Sequence, residues 1–329
     1  MKKKVLLAIC PVLLIIAVSI IVGCVPFAPE SAVLSATNAS EEAVALYDFI
    51  AAAEGNYVIS GQQESTWMGS PDYETDYIYE ASGKLPIIKG FDYMNDDFDG
   101  VNERAAQWHE KGGIVTICWH CGSDFSGEWT DCKETDIADW EKALTPGTEE
   151  YNTLVKGMDK AAEALKELQE KGIPVLWRPF HEFDGDWFWW SRGGCESFKK
   201  LWRIMYERYT DYHGLNNLIW VLGYSHKMLD VKDWYPGDEY CDIIGADTYD
   251  IEIVHKLYRK MKGVTDAPKP LCLHECGENP KEKDLKRSPW SYFMTWHTEY
   301  LTDTNTPEEI KALYNSELVL TMSEEYISQ

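Results

Sequence analysis

The chain has 329 residues, 45% hydrophobic and 26% charged, a balance that describes a folded globular protein and excludes a disordered or collagen-like one. Lys+Arg 31 against Asp+Glu 55 gives a net charge of −24, which argues against polyanionic partners such as nucleic acid. The 14 Trp supply flat apolar faces suited to neutral ligands, sugars foremost.

Lys2, Lys3 and Lys4 precede an almost wholly apolar stretch, 5–22, that runs into Gly23-Cys24. A basic start, an apolar run and a small residue before the cut mark a secretory signal. The segment resembles a bacterial lipoprotein signal whose cysteine, here Cys24, becomes lipidated. Residues 1–23 then form the signal peptide, and the mature protein sits outside the cytoplasm on a membrane. A short transmembrane anchor is the alternative, because the run is about the minimum length that spans a bilayer. Residues 24–39, rich in Ala, Ser and Pro, read as a tether. Residues 40–329 read as one folded domain, expected to act as a monomer.

Helical and strand-like runs then alternate. A helix is predicted over 41–53, a strand over 57–61, a helix over 76–81, a strand over 85–91 and a helix over 102–111. A strand over 113–119, a long helix over 149–171, a strand over 173–179 and a helix over 196–213 follow. Strands over 217–222 and 242–247, a helix over 251–262, and strands over 271–274 and 291–296 complete the series. Most strand runs are continuously apolar, as expected of parallel strands buried on both faces. In the long helix, Leu154, Met158, Ala161, Leu165 and Leu168 recur at three- and four-residue steps. Eight strands with intervening helices predict an α/β protein of the (β/α)8 TIM-barrel type. A doubly wound open sheet is the alternative, but no Gly-x-Gly-x-x-Gly follows any strand.

Beyond Cys10 and Cys24 lie Cys118, Cys121, Cys132, Cys195, Cys241, Cys272 and Cys276, an odd number that cannot pair off completely. Cys118-Trp119-His120-Cys121 with Cys132 has zinc-like spacing, but no second ligand pair follows. Buried free thiols, with or without one disulfide, are expected, and no metal or other cofactor.

In a TIM barrel, functional residues stand at the C-terminal ends of strands or just after them. The second strand runs into Asp92-Tyr93, the third into Trp119-His120, and the fourth into Trp177-Arg178-Pro179-Phe180-His181-Glu182. The sixth runs into Asp247-Thr248-Tyr249, the seventh into His274-Glu275, and the eighth holds Trp296-His297. Glu182 and Glu275 follow buried-type strands directly, where an idle charge would be costly. Cleaving a glycosidic bond needs an acid on the leaving oxygen and a carboxylate at the oxocarbenium-like centre, kept in different protonation states by their surroundings. Arg178 or Tyr249 is expected to hold Glu275 ionised, and desolvation by Phe180 and the aromatic run from Trp187 to Trp190 to raise Glu182. Singly, each residue has a duller role as a helix cap, an arginine partner or core packing. A non-catalytic glycan-binding surface lipoprotein is the alternative of another class, but it would be expected to lack one of the two glutamates.

Together these motifs resemble glycoside hydrolase family 26, the β-mannanase family of a large clan of retaining (β/α)8 hydrolases. The likeness spans roughly 40–320. It rests on the Trp177-to-Glu182 run followed by Trp187, on Leu273-His274-Glu275, on Ala246-Asp247-Thr248-Tyr249, on Trp119-His120 and on Trp296. His181, where the clan more usually has asparagine, is specific to this family. The resemblance implies a retaining endo-β-1,4-mannanase acting on mannan, glucomannan or galactomannan, with Glu182 as acid/base and Glu275 as nucleophile. Arg178, His181 and Tyr249 would orient them, while His120, Trp187, Tyr224 and Trp296 would hold sugars. Cys121-Gly122 departs from the more usual residues after the strand-three histidine. Mixed-linkage β-glucan and β-1,3-xylan are the alternative substrates within the family.

Overall fold

The protein is described by a computed structural model covering residues 33–227 and 230–322. The expected signal peptide, Cys24 and the first part of the expected tether lie outside the described residues.

The chain begins with α1 (Glu41–Ala53), β1 (Val58–Ile59), β2 (Gly61–Gln63), α2 (Tyr73–Ser82), β3 (Ile88–Asp92), α3 (Phe98–Glu110) and β4 (Ile114–Cys118). It continues with α4 (Asp131–Glu134), α5 (Trp140–Ala143), α6 (Glu149–Glu170), β5 (Val175–Arg178), α7 (Trp189–Arg192), α8 (Gly194–Glu207) and β6 (Leu218–Tyr224). Then come β7 (Ile243–Thr248), α9 (Val254–Met261), β8 (Leu271–Cys276), α10 (Glu282–Arg287), β9 (Phe293–Thr295), α11 (Glu299–Thr302), α12 (Pro307–Tyr314) and β10 (Val319–Leu320). Strands β2 to β9 pair in parallel in chain order, and β9 returns to β2, closing an eight-stranded barrel. This is the (β/α)8 architecture that the alternation of runs predicts. β5 and β8 are its fourth and seventh strands.

Local chemistry sets the helix limits. Thr148 accepts the Tyr151 amide at the start of α6, the predicted apolar stripe is buried, and Gly172, in the left-handed region at φ +71°, follows its end. Thr306 and Glu309 form a reciprocal capping box at α12, with Pro307 in its first turn.

Side chains alternate between the two faces of a strand. In β5, Leu176 fills the barrel interior with Ile88, Ile114, Ile219, Val221 and Ile243, while Val175 and Trp177 pack outward among the helices. Tyr47 and Ile50 of α1 join the inner cluster. Carrying the same parity towards the strand ends puts Asp92, Arg178, Gly223 and Asp247 on the inward face.

Among the boundaries that differ from the sequence reading, two bear on how the barrel starts. The apolar pair Val58 and Ile59 leaves the barrel and pairs with β10, so the first barrel strand is the polar Gly61–Gln63. Close packing dictates this: a Cβ at Gly61 would meet the Phe293 carbonyl at 2.7 Å. The end of the expected tether also belongs to the fold, because Leu34 and Ala36 are buried and the Ser35 amide donates to Asp242 at 2.6 Å.

Candidate active site

Arg178, the last residue of β5, points into the barrel mouth and is buried. Its Nη1 lies 3.0 Å from Glu275 Oε2 and 3.1 Å from His274 Nδ1. His274 fits because β6 and β7 carry glycine opposite it: a Cβ at Gly223 or Gly245 would meet its ring at 2.7 or 2.8 Å. His274 Nε2 lies 3.2 Å from the Tyr224 carbonyl, so Nε2 carries the proton and Nδ1 accepts from Arg178. Burial, reinforced by Arg178, holds this imidazole neutral, well below the ordinary histidine range.

Strict alternation would turn Glu275 away from His274 and out of the mouth. Instead the β7–β8 register slips between Ala246, opposite Leu273, and Asp247, opposite Glu275. This bulge in β8 presents both side chains to the mouth. The Tyr249 hydroxyl donates to Glu275 Oε1, so each carboxylate oxygen has a donor. Glu275 departs from the expectation that its donors dominate. Burial pushes its carboxyl upward, Arg178 pulls against that rise, and the Glu182 carboxylate adds to it.

Glu182 sits in a tight turn after β5 in which Phe180 (φ +48°) and Glu182 (φ +55°) both occupy the left-handed region, strained for non-glycine residues. The surroundings over-determine that turn. Trp190 Nε1 donates to the His181 carbonyl at 2.8 Å, the Glu182 amide to the Gly223 carbonyl at 2.7 Å, and the Ser225 amide to Asp184 at 2.6 Å. Trp187 Nε1 donates to Glu182 Oε2 at 2.7 Å.

Oxygens of Glu182, Asp247 and Glu275 lie within 4.8 Å of one another. Neither Asp247 oxygen has a hydrogen-bond donor of its own, and both are buried. Burial and the neighbouring Glu182 carboxylate push Asp247 far above the usual carboxylate range. Carboxylates this close do not all ionise, and burial disfavours the charged form of Asp247.

His120 Nδ1 lies 2.5 Å from Asp92 Oδ2, and its amide donates to Asp92 Oδ1 at 3.0 Å, which fixes the ring. Although burial opposes it, His120 holds the Asp92 carboxyl below its ordinary value. His181 packs edge-on to His120 at 4.6 Å, and burial keeps it uncharged. Trp296 lies 6.2 Å from His120 and beneath the Arg178 guanidinium at 5.8 Å.

Glu182, Glu275, Arg178, His181, Tyr249, Trp187, His120 and Trp296 are thus gathered at one mouth. Tyr224 is not. It shares the outward parity of Trp220 and Leu222, is fully buried, and donates its hydroxyl to the Val231 carbonyl at 2.8 Å. Only its backbone carbonyl serves the site. Asp92, Asp247 and His274 carried no role in the sequence reading, yet inward parity at a strand end marks all three.

Among the described residues, two sets of donors come close enough for a metal ion, Asp92 with Cys118 and His120, and Glu182 with Asp247 and Glu275. Asp92 and His120 are already bound to each other, and Glu182 and Glu275 already accept from Trp187, Arg178 and Tyr249. Cys121 and Cys132 join neither set, and the seven described cysteines are free thiols.

The model of glycosyl hydrolase family 26 matches residues 35–324. The chain belongs to glycosyl hydrolase family 26. It is 32% identical to the mannan endo-1,4-beta-mannosidase of Thermothelomyces thermophilus over 88% of its own length, and it spans 63% of that relative. Among solved structures it matches the family 26 protein GH26A of Muricauda sp. MAR_2010_75, with a TM-score of 0.81 at 33% identity, covering 87% of this chain and 98% of that one. It also matches a beta-mannanase from a symbiotic protist of the termite Reticulitermes speratus, complexed with gluco-manno-oligosaccharide. That TM-score is 0.81 at 28% identity, covering 89% of this chain and 97% of that one.

Proposed function

We propose that this family 26 chain is a retaining endo-β-1,4-mannanase, with Glu275 as nucleophile and Glu182 as acid/base. The observation that carries the reading is the approach of the Glu182 and Glu275 carboxylate oxygens to within 4.8 Å. A retaining glycosidase holds its two carboxyl groups about 5–5.5 Å apart, whereas an inverting one leaves roughly 6.5–9.5 Å for a water. Glu275 attacks the anomeric carbon while Glu182 gives its proton to the departing glycosidic oxygen. Glu182 then takes a proton from the water that releases the glycosyl enzyme. Arg178 and Tyr249 favour the ionised form of Glu275, and their hydrogen bonds aim its oxygens. Trp187 fixes the Glu182 carboxyl from the opposite side of the reacting bond.

The mannan preference draws support from relatives named mannan endo-1,4-beta-mannosidase. Trp296 provides an apolar face for the C–H side of a pyranose, and His120 and Arg178 provide polar rims. Proton NMR of the first product formed from mannan and galactomannan tests the reading. β-Configured oligosaccharides are expected; α-configured product, or faster cleavage of barley β-glucan than of mannan, overturns it.

We further propose that the mature enzyme begins at a lipidated Cys24 and acts outside the cytoplasm as a monomer bound to a membrane. The basic, apolar and Gly-Cys succession at the N-terminus supports this. Sedimentation of the detergent-solubilised protein tests the monomer.

A further inference from the structure

The buried imidazole of His274 takes no part in the two-carboxylate chemistry, yet the barrel is shaped around it. Glycine stands beside it on both β6 and β7. A Cβ at Gly223 would lie 2.7 Å from Nε2, and one at Gly245 2.8 Å from Cδ2. Glycine in a strand interior is unfavourable by itself, so its presence on two adjacent strands points to the ring they seat.

The ring has a defined direction. Its Nε2 lies 3.2 Å from the Tyr224 carbonyl and its Nδ1 3.1 Å from Arg178 Nη1. A carbonyl only accepts and a guanidinium only donates, so the neutral ring keeps its proton on Nε2 and offers the Nδ1 lone pair to the arginine. Nη1 has two hydrogens, and Glu275 Oε2, at 3.0 Å, takes the other. Among the described residues Arg178 Nε and Nη2 have no hydrogen-bond partner, so these two contacts aim the fork. The Tyr224 carbonyl is next in the chain to the Gly223 carbonyl that accepts the Glu182 amide, so the end of β6 anchors both glutamate segments.

A neutral acceptor suits this place. A second carboxylate would share the charge of Arg178 and place a like charge beside Glu275, favouring the protonated nucleophile. An aliphatic side chain would leave an Nη1 hydrogen buried without a partner and the guanidinium free to turn. Imidazole avoids both. We infer that His274 is a positioning residue, whose Nδ1 lone pair aims the Arg178 guanidinium at Glu275. The inference rests on the proposed function, in which Glu275 is the nucleophile.

The groups facing Glu275 are Arg178 on β5, Glu182 after it, His120 after β4, Asp247 and Tyr249 at the end of β7, and the thiols of Cys118 and Cys276. Those facing His274 are Arg178 and His181, whose ring centre is 6.3 Å away. Burial keeps both of these histidines uncharged.

His274→Leu keeps most of the side-chain bulk and removes the lone pair. The acid limb of its kcat/KM profile is expected to move to higher pH. At the wild-type optimum kcat/KM is expected to fall about tenfold, chiefly in kcat, as for one lost hydrogen bond to a charged group. His274→Asn, whose Oδ1 stands where Nδ1 stood, is expected to restore the wild-type limb, and His274→Gln is not. Added to Arg178→Ala, His274→Leu is expected to move the limb no further, because the imidazole acts through the guanidinium. A limb at its wild-type position in His274→Leu, or an additive displacement in the double variant, overturns the positioning role. Should His274→Leu fail to fold, equal limbs in His274→Asn and His274→Gln overturn it. Carbon NMR of the Glu275 carboxyl separates this inference from the function. Its titration is expected to move up in His274→Leu whichever residue attacks the sugar, and an unmoved titration overturns the role. Wild-type turnover by Glu275→Ala overturns the function instead.

Discussion

Arg178 Nη1 and Glu275 Oε2 form a charge pair 3.0 Å apart, and both side chains are almost completely withheld from water. Such a pair is poor evidence for stability, because desolvation offsets much of its attraction. Its value here is electrostatic. The guanidinium opposes the burial that pushes the Glu275 carboxyl up, favouring its ionised form.

Replacing Arg178 therefore has a defined sign. Arg178→Ala removes a force that lowers the Glu275 pKa, so the acid limb of the kcat/KM profile moves to higher pH. At the wild-type optimum kcat/KM falls about 100- to 1,000-fold, as when one preorganised electrostatic partner is removed. A variant with lower activity but an unmoved acid limb would refute this coupling.

Glu275→Ala removes the proposed nucleophile. Turnover of mannan is expected to fall by more than about a thousandfold, while oligosaccharide binding stays measurable by calorimetry. Wild-type turnover from the purified variant excludes Glu275 from the role.

Asp247 links stability to pH. Its folded-state pKa is raised, by burial and then by Glu182, so the folded form binds its proton more tightly than the unfolded chain does. Its contribution is complete below the unfolded value of about 3.9 and is lost as pH climbs through the folded value. Asp247→Asn mimics the protonated acid and escapes that loss. Its melting temperature at pH 8 is expected to equal or exceed that of the wild type. A decrease of more than about 4 °C would show that Asp247 stabilises as a carboxylate.

Cys24→Ala tests the membrane anchor. Fractionation of cells producing the variant is expected to show release from membranes or an unprocessed precursor. Unchanged membrane association of a normally processed protein favours a transmembrane anchor instead.

Seven of the eight barrel strands, the amphipathic α6 and the strand-end positions of Glu182 and Glu275 are legible along the chain. Hydrophobic periodicity reports burial directly, and a TIM barrel puts its working residues where buried strands end. Tyr224 shows the limit of reading strand ends without counting faces. One residue from Gly223, it falls on the outer side of the sheet with Trp220 and Leu222. The first barrel strand was hidden for a different reason. Gly61–Gln63 is polar, and its place is set by contact with β9 rather than by its own apolarity.

The sequence by itself determined the class of fold and pointed to the two carboxylates proposed for the chemistry, because those depend on side-chain identity and on local periodicity. Tertiary structure alone decided that Glu275 faces the mouth. A register slip in β8 turns it there beside His274, and no propensity of Leu273-His274-Glu275 encodes that slip. The upward push on the Asp247 carboxyl and the hydrogen bonds that join Arg178 to His274 and Glu275 were likewise invisible in one dimension. Desolvation and hydrogen bonding across long stretches of chain exist only once the barrel has closed.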